Sequence, residues 1–321
     1  MRYGLMVVAF CLLAAPAGAE VSAARRELDA ALLTLRANHI NRDKVDWSSL
    51  AAEAENTLDG TDAADAYPVI RLVVAALGTR HSFLLDPDTV AARNSGQRVG
   101  NTVPPVLRLP ESRRIGADIG LVQLQAMADP RPDSIKAYAA AARDALAQFA
   151  DAQVCRVIVD LRGNGGGNMY PMIFGVAALL GPEPYGTFIN NEGRPQPWQI
   201  AAAMRNRGAE ADPAAAPAWL ARAPVAVLID RRTASSGEFT ALAFAGRART
   251  RVFGEVSAGF LTANVTFPLP DGARLVVTTS YAGDAEGVRH DTVLTPDERT
   301  PADKTEDAAV AWLRRQRCDA K

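Results

Sequence analysis

Three short stretches carry residue types whose spacing suits nucleophilic chemistry. The first runs from Val225 to Phe239, Val-Ala-Val-Leu-Ile-Asp-Arg-Arg-Thr-Ala-Ser-Ser-Gly-Glu-Phe. An apolar run, a few small polar residues, and then Phe239, Leu242, Ala243 and Phe244 at helical spacing predict a strand, a tight turn and a helix. Ser235 falls in the turn, beside the unpaired N–H groups of the helix start, which favour a developing negative charge. The same residues fit a capping box, with Ser235 capping the helix and Glu238 bonding back.

The second stretch is a predicted buried strand, Val154–Leu161, followed by Arg162-Gly-Asn-Gly-Gly-Gly167 and a helix from about Tyr170 to Leu180. A glycine loop lets backbone N–H groups approach a phosphate or an oxyanion, or simply supplies a turn with positive φ. Phosphate motifs do not fit, because no Lys-Ser/Thr follows and residue 168 is Asn where G-x-G-x-x-G needs glycine. The third stretch, Gly78-Thr-Arg-His-Ser-Phe83, ends a helical stripe and begins something extended. It places His81 at a junction, as a surface loop residue or as a base aimed into a cleft.

The elements that position these stretches follow from periodicity. Apolar stripes at Leu28, Leu32, Leu33 and Leu35 and at Ile70, Val73, Val74 and Leu77 predict a helical N-terminal region over 20–80, with Asp46 capping a further helix. Residues 86–114 read as loops with one or two short strands, the strand-like part being Val103–Leu109. Ile119–Leu124 reads as a strand and Ser134–Phe149 as a helix. Residues 181–223 are rich in Pro, Ala and Gly and read as a cap, a lid or a plain connection, with helical stretches around Trp198–Arg205 and Ala214–Ala221. Strand-like Thr250–Gly254, Asn264–Leu269 and Arg274–Ser280 follow, the last two joined by a turn at Pro270-Asp-Gly272, and Asp303–Arg317 closes the chain as an amphipathic helix.

Composition bounds the function. The 321 residues are 48% hydrophobic and 22% charged, with net charge −1, which describes a globular protein with no basic surplus for nucleic acid. Arg2, the apolar run Leu5–Ala15 and Ala17-Gly-Ala19 form a secretory signal over residues 1–19, too short to span a bilayer. The expectation is an exported mature chain, periplasmic or secreted, without stable membrane insertion. Outside the signal, Cys155 and Cys318 remain, a pair that an oxidising compartment could join. His39, His81 and His290 show no ligand spacing, so no metal or cofactor is expected.

Taken together, Gly78-Thr-Arg-His81, Val159-Asp-Leu-Arg-Gly-Asn-Gly-Gly-Gly167, Thr233-Ala-Ser-Ser-Gly-Glu238, Phe253-Gly-Glu255 and Pro268-Leu-Pro-Asp-Gly272 resemble, in order, the tail-specific or C-terminal processing serine peptidases of family S41. The resemblance implies a mixed α/β fold, a helical region followed by a ClpP/crotonase-like sheet core from about residue 81 to 321, without a PDZ domain. It implies Ser235 as nucleophile, and Gly166 as oxyanion donor with the N–H of Ser235 or Ser236. One branch of the family takes its base from a lysine in G-E-x-x-x-G-K, but here that segment is Gly254-Glu-Val-Ser-Ala-Gly-Phe260. The other branch, which includes the tricorn core and the nisin resistance peptidase, uses an early histidine, matched by His81. The orienting acid stays open between Glu238, Glu286, Asp291 and none. The implied activity is exported serine endopeptidase action on peptides or unstructured protein tails, and the alternative is an inactive relative binding a peptide or apolar ligand.

Overall fold

The computed structural model describes residues 21–152, 154–209 and 217–318, so the expected signal over 1–19 lies outside it. Helices α1 (Ala23–Asn38), α2 (Trp47–Thr57) and α3 (Ala66–Ala76) form the N-terminal region. Ser22 caps α1, and Asp46 caps α2 by accepting from Ser48 and Ser49 N–H. Strand β1 (Phe83–Leu85) and helix α4 (Pro87–Ser95) come next, then β2 (Glu111–Ile115), β3 (Ile119–Gln123), α5 (Pro132–Asp151), β4 (Arg156–Asp160) and α6 (Met169–Leu180). They are followed by β5 (Thr187–Ile189), β6 (Pro195–Pro197), α7 (Ile200–Arg205), β7 (Val225–Ile229), α8 (Ser236–Leu242) and β8 (Thr250–Gly254). The hairpin β9 (Thr262–Pro268) and β10 (Arg274–Gly283), the short β11 (Arg289–His290) and β12 (Glu298–Arg299), and α9 (Thr305–Arg314) complete the chain.

Among the described residues the strands form two six-stranded sheets. The first has the order β12-β8-β7-β4-β3-β2, parallel except for β2. Because side chains alternate across a strand, Val157 and Val159 face the layer containing Leu146, Phe149 and Val176, while Ile158 faces Ala309 and Leu313 of α9. Burial on both faces explains the near-continuous apolar runs of β4 and β7. The second sheet is built on β10, flanked by β9, β1, β5 and β11. Leu275 and Val277 of β10 share one core with Leu28, Leu35, Ile70 and Val73, so the N-terminal helices close on the β9–β10 hairpin.

Two segments differ from the sequence reading. Helix α4 lies where loops were expected; only Ala92 is buried in it, so it shows no apolar stripe, and its signals are the Asp86 cap, Pro87 at its start and Gly96 at its end. Val103–Leu109 forms no strand; Val103, Val106 and Leu109 stay exposed, and the strand is the charged edge segment β2, held by backbone pairing to β3. The 181–223 segment is anchored in the core through Trp198, Ile200, Met204 and Leu220, and supplies β5 and β6 to the second sheet. The expected helix around Ala214–Ala221 lies partly outside the described residues, and within them the chain makes a single 3-10 turn over Leu220–Arg222. Cys155 and Cys318 form a disulfide with Cα atoms 5.4 Å apart.

Candidate active site

Strands β4 and β7 are parallel neighbours, and the two turns that follow them are laced together. Asp230 Oδ1 accepts the N–H groups of Gly163 (2.9 Å), Arg232 (2.9 Å) and Thr233 (3.0 Å). The Thr233 hydroxyl donates to the Leu161 carbonyl at 2.9 Å, and Ala234 N–H donates to the Asn164 carbonyl at 2.9 Å. Asn164 is buried and its Nδ2 donates to the Leu124 carbonyl at 2.9 Å, which ties the glycine loop to the end of β3. This asparagine sits unmarked inside the glycine run, and sequence reasoning passed it over.

Ser235 sits at φ 52°, ψ −120°, a backbone conformation that a non-glycine residue adopts only when its surroundings impose it. Those surroundings are the laced turns on one side and Glu238 on the other. Ser235 and Glu238 form the capping box the spacing predicts: Glu238 Oε2 accepts Ser235 N–H at 2.8 Å, and the Ser235 side chain faces the backbone N–H of Glu238. Ser236 Oγ donates to the Gly167 carbonyl at 2.7 Å, a further tie between the two turns.

The Gly166 N–H, expected as an oxyanion donor, donates to Asn164 Oδ1 at 2.9 Å. What the position supplies is space: at φ 101°, a Cβ there would lie 2.8 Å from Ser235 Cβ and 3.0 Å from the Ala234 carbonyl oxygen. The same hypothetical carbon would be 3.2 Å from Ser236 N, for which no acceptor is recorded among the described residues.

Glu238 is fully buried and its carboxylate gathers four donors. Besides Ser235 N–H, it accepts Gly259 N–H at 2.8 Å, Phe260 N–H at 2.7 Å and the Ser257 hydroxyl. Burial pushes the Glu238 carboxyl above its ordinary value, and the donors pull it back toward the anion. With both oxygens taken, Glu238 braces the serine turn against the 257–260 loop.

That loop leads to His81. The Phe260 ring packs edge-on against the imidazole at 5.2 Å between centroids, so the residue standing where the other branch has its lysine now walls the histidine. His81 Nδ1 lies 2.8 Å from Thr262 Oγ1, and burial lowers the imidazole below its usual range, against a smaller upward pull from the Thr262 backbone. Sequence reasoning missed Thr262, because a threonine at the start of a strand carries no catalytic signature. The turn holding His81 is fixed from behind by buried His39, whose Nε2 is 3.0 Å from Thr79 Oγ1, and by Ser82 Oγ, which accepts Thr278 N–H at 2.9 Å. Of the acids considered as orienters, Asp291 pairs with Arg289, Glu286 is exposed, and neither is recorded at the imidazole. His290 pairs instead with Asp284 at 3.1 Å.

A strained serine at a strand-to-helix turn has a glycine loop pressed against it, and Glu238 ties that turn to the 257–260 loop whose Phe260 packs on the half-buried His81. The model of peptidase family S41 matches residues 118–300, more than half of the sequence. The chain belongs to peptidase family S41.

This S41 member is similar to several individual proteins. It is 27% identical over 288 residues to the nisin-resistance protein of Lactococcus lactis subsp. lactis, covering 85% of this chain and 82% of that one. The structure of a lipoprotein from Streptococcus agalactiae superposes with a TM-score of 0.78 at 25% identity, covering 96% of this chain and 99% of the other. The photosystem II D1 C-terminal processing protease shares the fold, with a TM-score of 0.58 at 16% identity over 85% of this chain and 92% of its own. The mixed α/β architecture is that of S41 proteases, and membership implies a peptide or protein substrate. Among the described residues no helix is long and apolar enough to cross a membrane.

Proposed function

We propose that this S41 peptidase is an exported serine endopeptidase acting through an acyl-enzyme, with Ser235 as nucleophile and His81 as general base. The observation that carries the reading is the Ser235 turn, held at positive φ with the Gly166 backbone pressed against it. Assigning the Nδ1 proton to the contact with Thr262 Oγ1 leaves Nε2 with the lone pair, the tautomer a base requires. Burial keeps that imidazole neutral near pH 7. In this mechanism Ser235 Oγ bonds to the scissile carbonyl carbon as its proton passes to His81. The C–N bond then breaks, and His81 protonates the leaving amine. Water, activated by the same imidazole, releases the acyl group. Ser236 N–H is the donor best placed to meet the oxyanion, beside the space Gly166 leaves.

An unstructured peptide fits along β9, whose edge away from β10 pairs with no other described strand and which begins at Thr262. Export is supported by the signal-like N-terminus and by the Cys155–Cys318 disulfide. A second reading, a non-catalytic peptide binder on the same scaffold, draws on the commitment of both the Gly166 and Ser235 N–H groups inside the protein. A fluorophosphonate probe separates the two. A peptidase gives a covalent adduct that disappears in Ser235→Ala and weakens in His81→Ala, with peptide cleavage lost in both; a binder gives no adduct.

A further inference from the structure

Beside the site, between α3 and the turn that carries His81, lies a cavity of about 440 Å³. Arg71, Val74, Thr79, Arg80, Ser82 and Leu84 are in its wall, and no carboxylate is among the lining residues. The volume falls in the range of small-ligand sites, with an apolar floor and a few polar groups that fix orientation. The two charged residues are both arginines, each set against an aromatic ring. Arg80 stacks over the Phe260 ring at 4.8 Å and Arg71 lies 5.8 Å from the Tyr67 ring. Among the described residues no ion pair or hydrogen bond is recorded for either guanidinium. Asp86 feels Arg71 only through space, as the last of the causes acting on its carboxyl.

Other arginines of the chain are paired, as Arg131 is with Asp129 and Arg162 with Asp160. Leaving two unpaired in one cavity concentrates positive charge there. The cavity also adjoins the reaction centre: the Phe260 ring that Arg80 covers is the ring that packs against His81. A guanidinium presents a fork of N–H donors matched to the two oxygens of a carboxylate.

We infer that this cavity is a subsite for a carboxylate of the peptide substrate, taken by Arg71 and Arg80 next to the scissile bond. The inference rests on the peptidase reading and specifies what that peptidase selects. The carboxylate comes either from an Asp or Glu side chain or from the free C-terminus. Both present the same anion to the same fork.

The test uses internally quenched decapeptides of one apolar sequence, made with Glu or Gln at each position in turn and with a free or amidated C-terminus. Wild type is expected to prefer a carboxylate form over its neutral twin by about tenfold in kcat/KM, expressed in KM. The preference shrinks in 0.5 M salt (about 4 Å of screening length) because both arginines are exposed. In Arg71→Gln/Arg80→Gln the ratio collapses toward one. The arm that shows the preference, side chain or terminus, identifies the source. Equal treatment of acid and neutral peptides by wild type, a preference that survives in the double variant, or an equal loss on both peptide classes each overturns the subsite. Fluorophosphonate labelling of Ser235 is scored in parallel: labelling without carboxylate preference removes only the subsite, and no labelling removes the peptidase reading beneath it.

Discussion

Glu238 Oε2 accepts the Ser235 N–H at 2.8 Å, and through its other contacts the same carboxylate holds the backbone on which Phe260 leans against His81. One buried side chain thus braces both halves of the site. Glu238→Gln keeps the shape but turns an NH2 toward backbone N–H groups that have no other acceptor. The cost expected is about 2 to 3 kcal/mol of stability, with labelling of Ser235 reduced in the fraction that stays folded. Chemical denaturation and probe labelling measure the two effects, and a variant as stable as wild type refutes the bracing role.

Gly166→Ala places a methyl group 2.8 Å from Ser235 Cβ on a backbone at φ 101°. The nucleophile turn must shift, and displacement of a reacting group by about 1 Å costs on the order of a hundredfold in rate. Peptide cleavage by this variant is expected to fall by that order. Gly165→Ala, where an added Cβ meets nothing within 4 Å, is expected to fall far less.

Thr262→Val removes the hydroxyl that His81 Nδ1 meets at 2.8 Å while keeping the side-chain shape. A positioning residue acts on turnover, so kcat is expected to drop roughly tenfold with KM little changed, and Thr262→Ser is expected to restore it. A loss confined to KM contradicts the assignment. Because burial lowers His81, the acid limb of kcat/KM is expected below the usual histidine value near pH 6.5.

His39 is buried and its imidazole is held down to about 4 by desolvation. The unfolded chain takes up a proton below about pH 6.5 and the folded chain only near 4, so stability falls as pH drops through that interval, by up to about 3 kcal/mol. Glu27 acts in the opposite sense: burial raises its carboxyl, so its contribution is full at low pH and fades as pH rises. Denaturation midpoints of wild type and His39→Gln between pH 7 and 4 isolate the histidine, whose replacement is expected to flatten the acid loss. Parallel profiles count against it.

The Cys155–Cys318 bond closes a loop with a sequence separation of 163. In the chain-entropy account a loop of that length confers up to about 5 kcal/mol. Reduction, or Cys318→Ser, is expected to lower the denaturation midpoint sharply while leaving the remote Ser235 turn intact in the folded fraction. A midpoint unmoved by reductant argues that the bond does not form.

Local physics made much of this chain legible. The apolar runs of β4 and β7 had to be buried strands, the small polar residues after Ile229 had to turn, and Phe239 with Leu242 had to begin a helix, all because period and composition act within a few residues. Helix α4 escaped because it buries almost nothing and so has no stripe to read. The strand at Glu111–Ile115 escaped because its order comes from the partner strand β3 and not from its own side chains.

By itself the sequence determined which elements form around Ser235, Gly166 and His81, and that Phe260 cannot serve as a base. Only the tertiary structure decided how those elements use their hydrogen bonds: Gly166 gives its N–H to Asn164, Glu238 spends both oxygens on bracing, and Thr262, 181 residues from His81, takes the imidazole. The reason is that a donor or acceptor carries no mark of its partner along the chain. Its partner is fixed when the core closes and each buried polar group must find one.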